Sequence, residues 1–266
     1  MITTINPETD FVSVTELAND EVSEEQVVRL THRYLWARRF CQGKDVLEIA
    51  CGAGQGLGVL ARISRSLKAG DISSALADQA RSHYRERIDI RVMDATHLPL
   101  PDNSLDIVII FEAIYYLSSA EAFVTECKRV LRVGGKVLIA TANKDLYDFN
   151  PSPFSIRYYG VQELGNLFRK HGFSCEFSGY MSVDSVSWRQ RVLRPIKALV
   201  VKMGLVPKTM SGKKFLKRLV FGRLVTMPAE IVNDEEMIVA PVHLQPDRPD
   251  RRFKVIYLVA SSEGRR

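Results

Sequence analysis

The sequence predicts an α/β fold built on a doubly wound sheet of seven strands, mostly parallel, with the last strand antiparallel. Three observations carry the prediction. Short apolar runs alternate with amphipathic stretches from about residue 45 to 178, the pattern of successive βα units. The first run, "DVLEIACGAGQG" at 45–56, closes in a glycine-dense turn, which is how such sheets open a nucleotide pocket at a strand's carboxyl end. Runs such as "IVII" and "VLIA" are apolar without alternation, as parallel strands covered on both faces require.

Taken in order, residues 1–22 contain Asn-Pro and several acids and are expected to form a mobile or loosely docked leader. "SEEQVVRLTHRYLWARRF" starts a cover helix: Ser23 can cap it, Gln26 stands three residues on, and Val27, Leu30, Tyr34 and Leu35 share a face. Gly43 ends it. Strand one is 46–50, with a helix from Gly54 through Ile63; "SLKAGD" is strand two and 74–84 the next helix. "IDIRVMD" and "LDIVIIFE" are strands three and four. A helix at 120–131 runs into "RVGGK", where glycines follow a basic residue. Strand five is "KVLIATAN"; the helix "GVQELGNLFRKHG" leads to strand six, "SCEFSGYM". The last strand, "RFKVIYLVAS", comes only after a basic insertion placed at about 182–250 and expected to be helical. The organisation is thus a leader and cover helix at 1–42, then one domain at 43–266.

Composition narrows the class. The chain has 266 residues, 46% hydrophobic and 26% charged, enough to bury a core without staples. Its four cysteines are scattered with no C-x-x-C pair, which points to reduced thiols in a cytosolic protein and away from a disulfide framework or zinc site. No basic stretch followed by an apolar core marks the first residues, so no secretory signal is expected. The net charge of +6 is local in origin: residues 185–229 hold eleven of the 37 Lys and Arg and no acid, and elsewhere 26 basic residues face 31 acids.

The turn itself distinguishes between nucleotides. Its glycines are Gly52, Gly54 and Gly56; a dinucleotide fingerprint needs its third glycine where Leu57 stands. With Glu48 on the strand, the turn resembles the first motif of class I S-adenosylmethionine-dependent methyltransferases, V-L-D/E-x-G-x-G-x-G, departing from it at Ala50, where glycine is common. "AGDISSALADQA" is similar to the second motif of that family, "VMDATHLPLPDNSLDIVIIFEAIYYL" resembles its third and fourth strands, and "FVTECKRVLRVGGKVLIATAN" its next helix and strand. The resemblance covers about 44–178, in order and at the family spacing, and implies a Rossmann-like fold and S-adenosyl-L-methionine as cofactor. A softer resemblance, in "HRYLWA", "FEAIYYL" and "SPFSIRYYGVQEL", is to methyltransferases encoded with polysaccharide or glycolipid biosynthesis; those often carry His where Ser155 stands here.

The resemblance assigns roles. The backbone from Cys51 through Gly52 and Gly54 to Gly56 would pass close beneath the ribose and methionine portion. Glu48 would face the cofactor's ammonium, or else only brace the loop. Asp71 would accept both ribose hydroxyls, or cap the helix before Ser74. Asp94, followed by Ala95, would accept the adenine amino group, or be a solvated turn residue. Ile72 and Leu98 are candidate adenine walls, and Phe111 ends strand four at the pocket. Glu112 is the candidate general base for a hydroxyl acceptor, or a cap or cofactor contact. Of Tyr115 and Tyr116, one is expected to face the pocket as a wall or hydrogen-bond donor and the other the core, with Tyr115 the candidate catalytic residue beside Glu112. His97 reads as a surface residue and His32 as structural.

Subclasses that methylate base amino groups need D/N-P-P-Y/F after strand four, and cytosine-5 enzymes need a Pro-Cys nucleophile; the chain has "FEAI". No metal site is expected. The basic insertion mixes apolar and cationic residues, with Trp188, Phe215 and Phe221 among them. It suits a substrate cap meeting an anionic acceptor, a peripheral contact with an anionic membrane face, or a hairpin with a solvated basic face; nucleic acid is the least favoured partner. The expected function is methyl transfer to a small molecule, an oxygen of a sugar, glycolipid or lipid-linked acceptor, with no reading of oligomeric state. The rivals are a non-catalytic cofactor- or partner-binding protein of the same fold, an RNA methyltransferase and a nicotinamide oxidoreductase.

Overall fold

The computed structural model of the protein describes residues 11–183, 224–232 and 239–264. The cover helix α1 spans Glu24–Cys41 and begins as its sequence dictates. The Gln26 N–H donates to Ser23 Oγ and the Ser23 N–H donates back to Gln26 Oε1, a reciprocal cap.

All seven strands read from the sequence are present: β2 (Asp45–Ile49), β3 (Ser66–Asp71), β4 (Asp89–Val92), β5 (Leu105–Phe111), β6 (Leu131–Ala142), β7 (Phe173–Ser182) and β10 (Phe253–Ser262). Their order is β4-β3-β2-β5-β6-β10-β7, parallel except that β10 runs antiparallel between β6 and β7. The helices between them are α2 (Leu57–Ala61), α3 (Ser74–Tyr84), α4 (Ala120–Val130) and α5 (Val161–Lys170). One core lies under α4 and α5 around Phe123, Val124 and Phe168; a second lies under α1 around Trp36, Ile109 and Tyr257. Coverage on both faces is why the central strands are apolar throughout. The chain reverses between β2 and β5, so the carboxyl ends of β2, β3 and β5 converge on one crevice.

Two expectations are corrected. The sheet has an eighth strand, β9 (Val242–Leu244), antiparallel to β7 inside the stretch read as a helical insertion. Three residues are too few to show a period, and Leu244 is buried only because Phe177 lies opposite. The helical reading of the rest of the insertion falls largely on residues outside those described. The leader, from Phe11 on, is firmly docked. Its strand β1 (Glu21–Ser23) pairs with β8 (Leu224–Thr226), Asn19 N–H donates to the Met227 carbonyl and Met227 N–H to the Asp20 carbonyl, both at 2.9 Å. A partner two hundred residues away leaves no local mark on the sequence.

Candidate active site

A cavity of about 1020 Å³ opens at the carboxyl ends of β2, β3 and β5, beneath the leader and the pocket face of α1. That is at the upper end of the ~300–1,000 Å³ range of small-molecule sites. Its floor is the turn after β2. Ala50, Gly52 and Gly54 all adopt positive φ, 57°, 58° and 82°. Glycine does so without strain, whereas Ala50 carries a Cβ into the left-handed region.

Glu48 is 1% exposed and still borders the cavity. The Tyr34 hydroxyl donates to its Oε1 at 2.6 Å, and its buried Oε2 has no hydrogen-bond partner. Burial pushes this carboxyl up to about 7, against the Tyr34 bond and the nearby Arg33 guanidinium. A desolvated carboxylate with an open oxygen is a receptor for a cation. Arg33 borders the same space; it lies over the rings of Tyr34 and Phe111 and makes no ion pair among the described residues.

Asp71 ends β3, buried, at the cavity wall. Its Oδ2 accepts the Gly52 N–H and its Oδ1 the Ser73 N–H, each at 2.9 Å. Burial raises its carboxyl, and those two donors oppose the rise. Ser73, not Asp71, caps α3 through the Leu76 N–H. Ile72 beside it is 51% exposed although it lines the cavity, an apolar surface left for a ligand. Asp94 and Ala95 line the far rim. Asp94 is exposed and uses Oδ1 to hold the Thr96 N–H and hydroxyl.

Three expectations about this half change. Gly54 and Gly56 do not border the cavity; Cys51, Gly52 and Gln55 do. Gly54 gives its carbonyl to the Tyr84 hydroxyl at 2.8 Å, and a Cβ on Gly56 would overlap the Tyr34 ring. Both glycines serve the packing under the turn. Leu98 belongs to the core and only Ile72 forms a wall.

The other half lies where β5 ends. Phe111 lines the cavity edge-on to Tyr34, ring centroids 5.3 Å apart. Glu112 follows with φ of 50°, a strained geometry for a non-glycine residue that the surroundings over-determine. Its N–H donates to the Ala140 carbonyl at 2.8 Å. Its Oε2 accepts the Ala142 N–H at 3.1 Å and the Tyr115 hydroxyl at 3.3 Å, and its Oε1 accepts from Arg29 at 2.9 Å. Tyr115 and Tyr116 both border the cavity, not one of them alone. Tyr115 stacks on Tyr158 with centroids 4.1 Å apart; Tyr116 meets Phe11 edge-on and bonds to Ser152 Oγ at 2.5 Å. Phe11, Val14 and Met227 close this side. His32 is structural, held by Tyr257 and the Val239 carbonyl, and His97 is at the surface. Ser155 bonds only to the Ser152 carbonyl and does not line the cavity.

Arg29, Arg33 and Tyr34 of α1, Gln55, Ser152 and the leader's Phe11, Val14, Thr15 and Glu16 are cavity residues that the motifs did not indicate. Two cations four apart on an amphipathic helix look like any solvated face, so no local pattern marks Arg29 and Arg33.

A strand-end acid, an acid closing the next strand and a crevice at the sheet's reversal make a nucleotide-type site of a doubly wound α/β sheet. Residues 47–139 match the family described as "Methyltransferase domain". It is 38% identical over 152 residues to a probable S-adenosylmethionine-dependent methyltransferase of Mycolicibacterium smegmatis, 56% of each chain. It is 31% identical over 113 residues to the ubiquinone biosynthesis O-methyltransferase of Agrobacterium fabrum, 41% of this chain and 45% of that one. The chain spans about half the length of the curated relatives it matches. Among solved structures, the YcgJ protein of Bacillus subtilis superposes with a TM-score of 0.57 at 17% identity, covering 88% of this chain and all of that one. The [4+2]-cyclase SpnF superposes equally well, at 18% identity over 93% of this chain and 86% of that one. These two likenesses speak for the fold alone.

Proposed function

We propose that the protein transfers the methyl group of S-adenosylmethionine to an oxygen of a small-molecule acceptor, a sugar, glycolipid or other lipid-linked compound. The observation that carries the reading is one cavity with two acid stations: Glu48 and Asp71 at the strand ends, Glu112 with Tyr115 across from them.

The residues fit the cofactor. Glu48 Oε2 is a buried acceptor lacking a donor, suited to the ammonium of an amino acid, and the unpaired Arg33 suits its carboxylate. Asp71 suits a ribose diol and Ile72 the face of a purine. Gly52 leaves the floor open: a Cβ there would stand 3.3 Å from Thr15 Cγ2, inside the space beneath the leader. The bound cofactor supplies an electrophilic methyl carbon on a sulfonium. The chain's own residues orient the acceptor, exclude water and take a proton. The bound cofactor would supply the methyl group that the acceptor oxygen gains, keeping the bond's electron pair on its own sulfur, and Glu112 would take the hydroxyl proton. Glu112 Oε2 is the receiving atom: its bond to Tyr115 is long at 3.3 Å, and such bonds shorten or exchange when substrate arrives. Tyr115, Tyr116 and Phe11, their rings set at steep angles to one another, give the acceptor an aromatic wall.

The wider parts of the reading rest on composition. An anionic or lipid-linked acceptor and a peripheral contact at the inner membrane face suit the eleven cations of 185–229, all of which lie outside the described residues. No helix among the described residues is long and apolar enough to cross a membrane.

The test is S-adenosylhomocysteine formation with fractionated cell extract. A glycolipid or sugar fraction that gains about 14 mass units per acceptor, one methylene, supports the reading. Cofactor binding with no turnover on any fraction, or turnover abolished by nuclease treatment, overturns it.

A further inference from the structure

We propose that Arg29 is a positioning residue for the transfer: from the cover helix it holds the Glu112 carboxylate in the orientation that receives the acceptor's proton. This deepens the reading of Glu112 given above and rests on it.

The first observation is a partner that Arg29 does not take. Glu25 stands four residues earlier on α1, the spacing at which an acid ordinarily pairs with a base on a helix. Both Glu25 oxygens instead accept from Lys254 Nζ, at 2.8 Å each. With that acid engaged by β10, Arg29 reaches across the cavity and donates to Glu112 Oε1 at 2.9 Å, a contact between residues 83 apart in sequence. Burial works against the Arg29 charge, and Glu112, helped by Glu25 and Glu16, more than restores it. An ion pair shielded from solvent on one side is held far more firmly than a surface pair.

The second observation is how Glu112 is divided. Oε1 belongs to Arg29. Oε2 faces the hydroxyl of Tyr115 and the Ala142 N–H. Four elements therefore fix one strained residue: α1, the turn carrying Tyr115, and strands β5 and β6. The phenols of Tyr116, Tyr158 and Tyr257 also face it, and Glu16 and Glu25 face Arg29. Arg29 is the cation that draws the carboxylate toward α1. Without it Glu112 keeps only neutral donors on its Oε2 side, and nothing described holds Oε1 toward the cover helix. The same helix holds Glu48 through Tyr34, so α1 braces an acid on each side of the cavity.

The experiment is a double-mutant cycle, read as turnover on a cell glycolipid extract and as S-adenosylhomocysteine affinity. Arg29→Gln is expected to lower kcat by ~10–100-fold while the affinity stays within about threefold of the starting protein, because the lost contact is not with cofactor. Arg29→Lys, which keeps the charge, is expected to recover part of that loss. Arg29→Gln combined with Glu112→Gln is expected to be no slower than Glu112→Gln alone, since one residue acts through the other. Additive losses overturn the proposal, as does a loss confined to cofactor affinity. If Arg29→Gln does not fold, as judged by loss of its cooperative thermal transition and far-UV circular dichroism, the cycle is run with Arg29→Lys under the same criteria. A fully active Glu112→Gln would remove the base assignment itself. An impaired Glu112→Gln beside a fully active Arg29→Gln would remove only the role given to Arg29.

Discussion

The two halves of the cavity are built in opposite ways. The cofactor half stands on the ends of parallel strands: Glu48 closes on β2, Asp71 ends β3, and the turn between them is fixed by backbone hydrogen bonds to Asp71. The acceptor half is assembled from a helix before the sheet, a short turn after β5, a loop after β6 and the leader. Strand ends place a side chain through the sheet's own register, so few residue types satisfy the geometry. Loops and covers place side chains through tertiary packing, so many do. One half therefore carries a pattern, and the other is the half proposed to receive the acceptor.

The sharpest way to break this division is at Glu112. Glu112→Gln keeps the size of the side chain and is expected to cut turnover by ~10²–10⁴-fold, the worth of a placed base, with cofactor affinity little changed. Steady-state kinetics beside calorimetry reads both. Asp71→Ala is expected to do the reverse, weakening S-adenosylhomocysteine binding by ~1–3 kcal/mol through loss of a buried acceptor, and equilibrium titration measures it.

Next in size is a pH effect at Glu48, whose carboxyl burial raises to about 7. Its charge is present above that value and lost below it. Affinity for a ligand bearing an ammonium should therefore fall as pH drops through 7, by up to ~10-fold per unit, and Glu48→Gln should flatten that dependence. In the free protein the sign is the opposite. The folded state binds this proton more tightly than the unfolded chain, so the stability Glu48 contributes declines as pH rises from the ordinary carboxyl range to about 7. Thermal melts across that window with and without ligand would separate the two. The smallest effect belongs to the floor. Ala50→Gly relieves a positive φ of 57° and is expected to be near neutral or stabilising by up to ~1 kcal/mol, the relief partly offset by glycine's greater freedom when unfolded. A clear loss of melting temperature would show that Ala50 is not strained.

The same division explains what was legible in the sequence. The strand order, the turn and the positions of Glu48, Asp71, Ile72 and Asp94 all follow from short-range patterns: an apolar run, a glycine spacing, an acid at a run's end. Gly54 and Gly56 were legible as necessary but not in their task, because a glycine beneath Tyr34 or Tyr84 and a glycine against a ligand look alike in one dimension. Arg29 and Tyr34 were hidden within an ordinary amphipathic helix. Phe11 and Met227 were hidden further, since what brings them to the cavity is the pairing of β1 with β8 across some two hundred residues. The likeness in fold to a solved structure of another printed activity fits the general rule that a shared sheet does not fix the chemistry.

The most direct test of the central claim is titration calorimetry with S-adenosylhomocysteine at about pH 8, comparing the protein with its Asp71→Ala and Glu112→Gln variants. The account predicts saturable binding, weakened about tenfold or more by Asp71→Ala and kept by Glu112→Gln, with no heat from NADH. No binding of S-adenosylhomocysteine, or binding indifferent to Asp71, would contradict it.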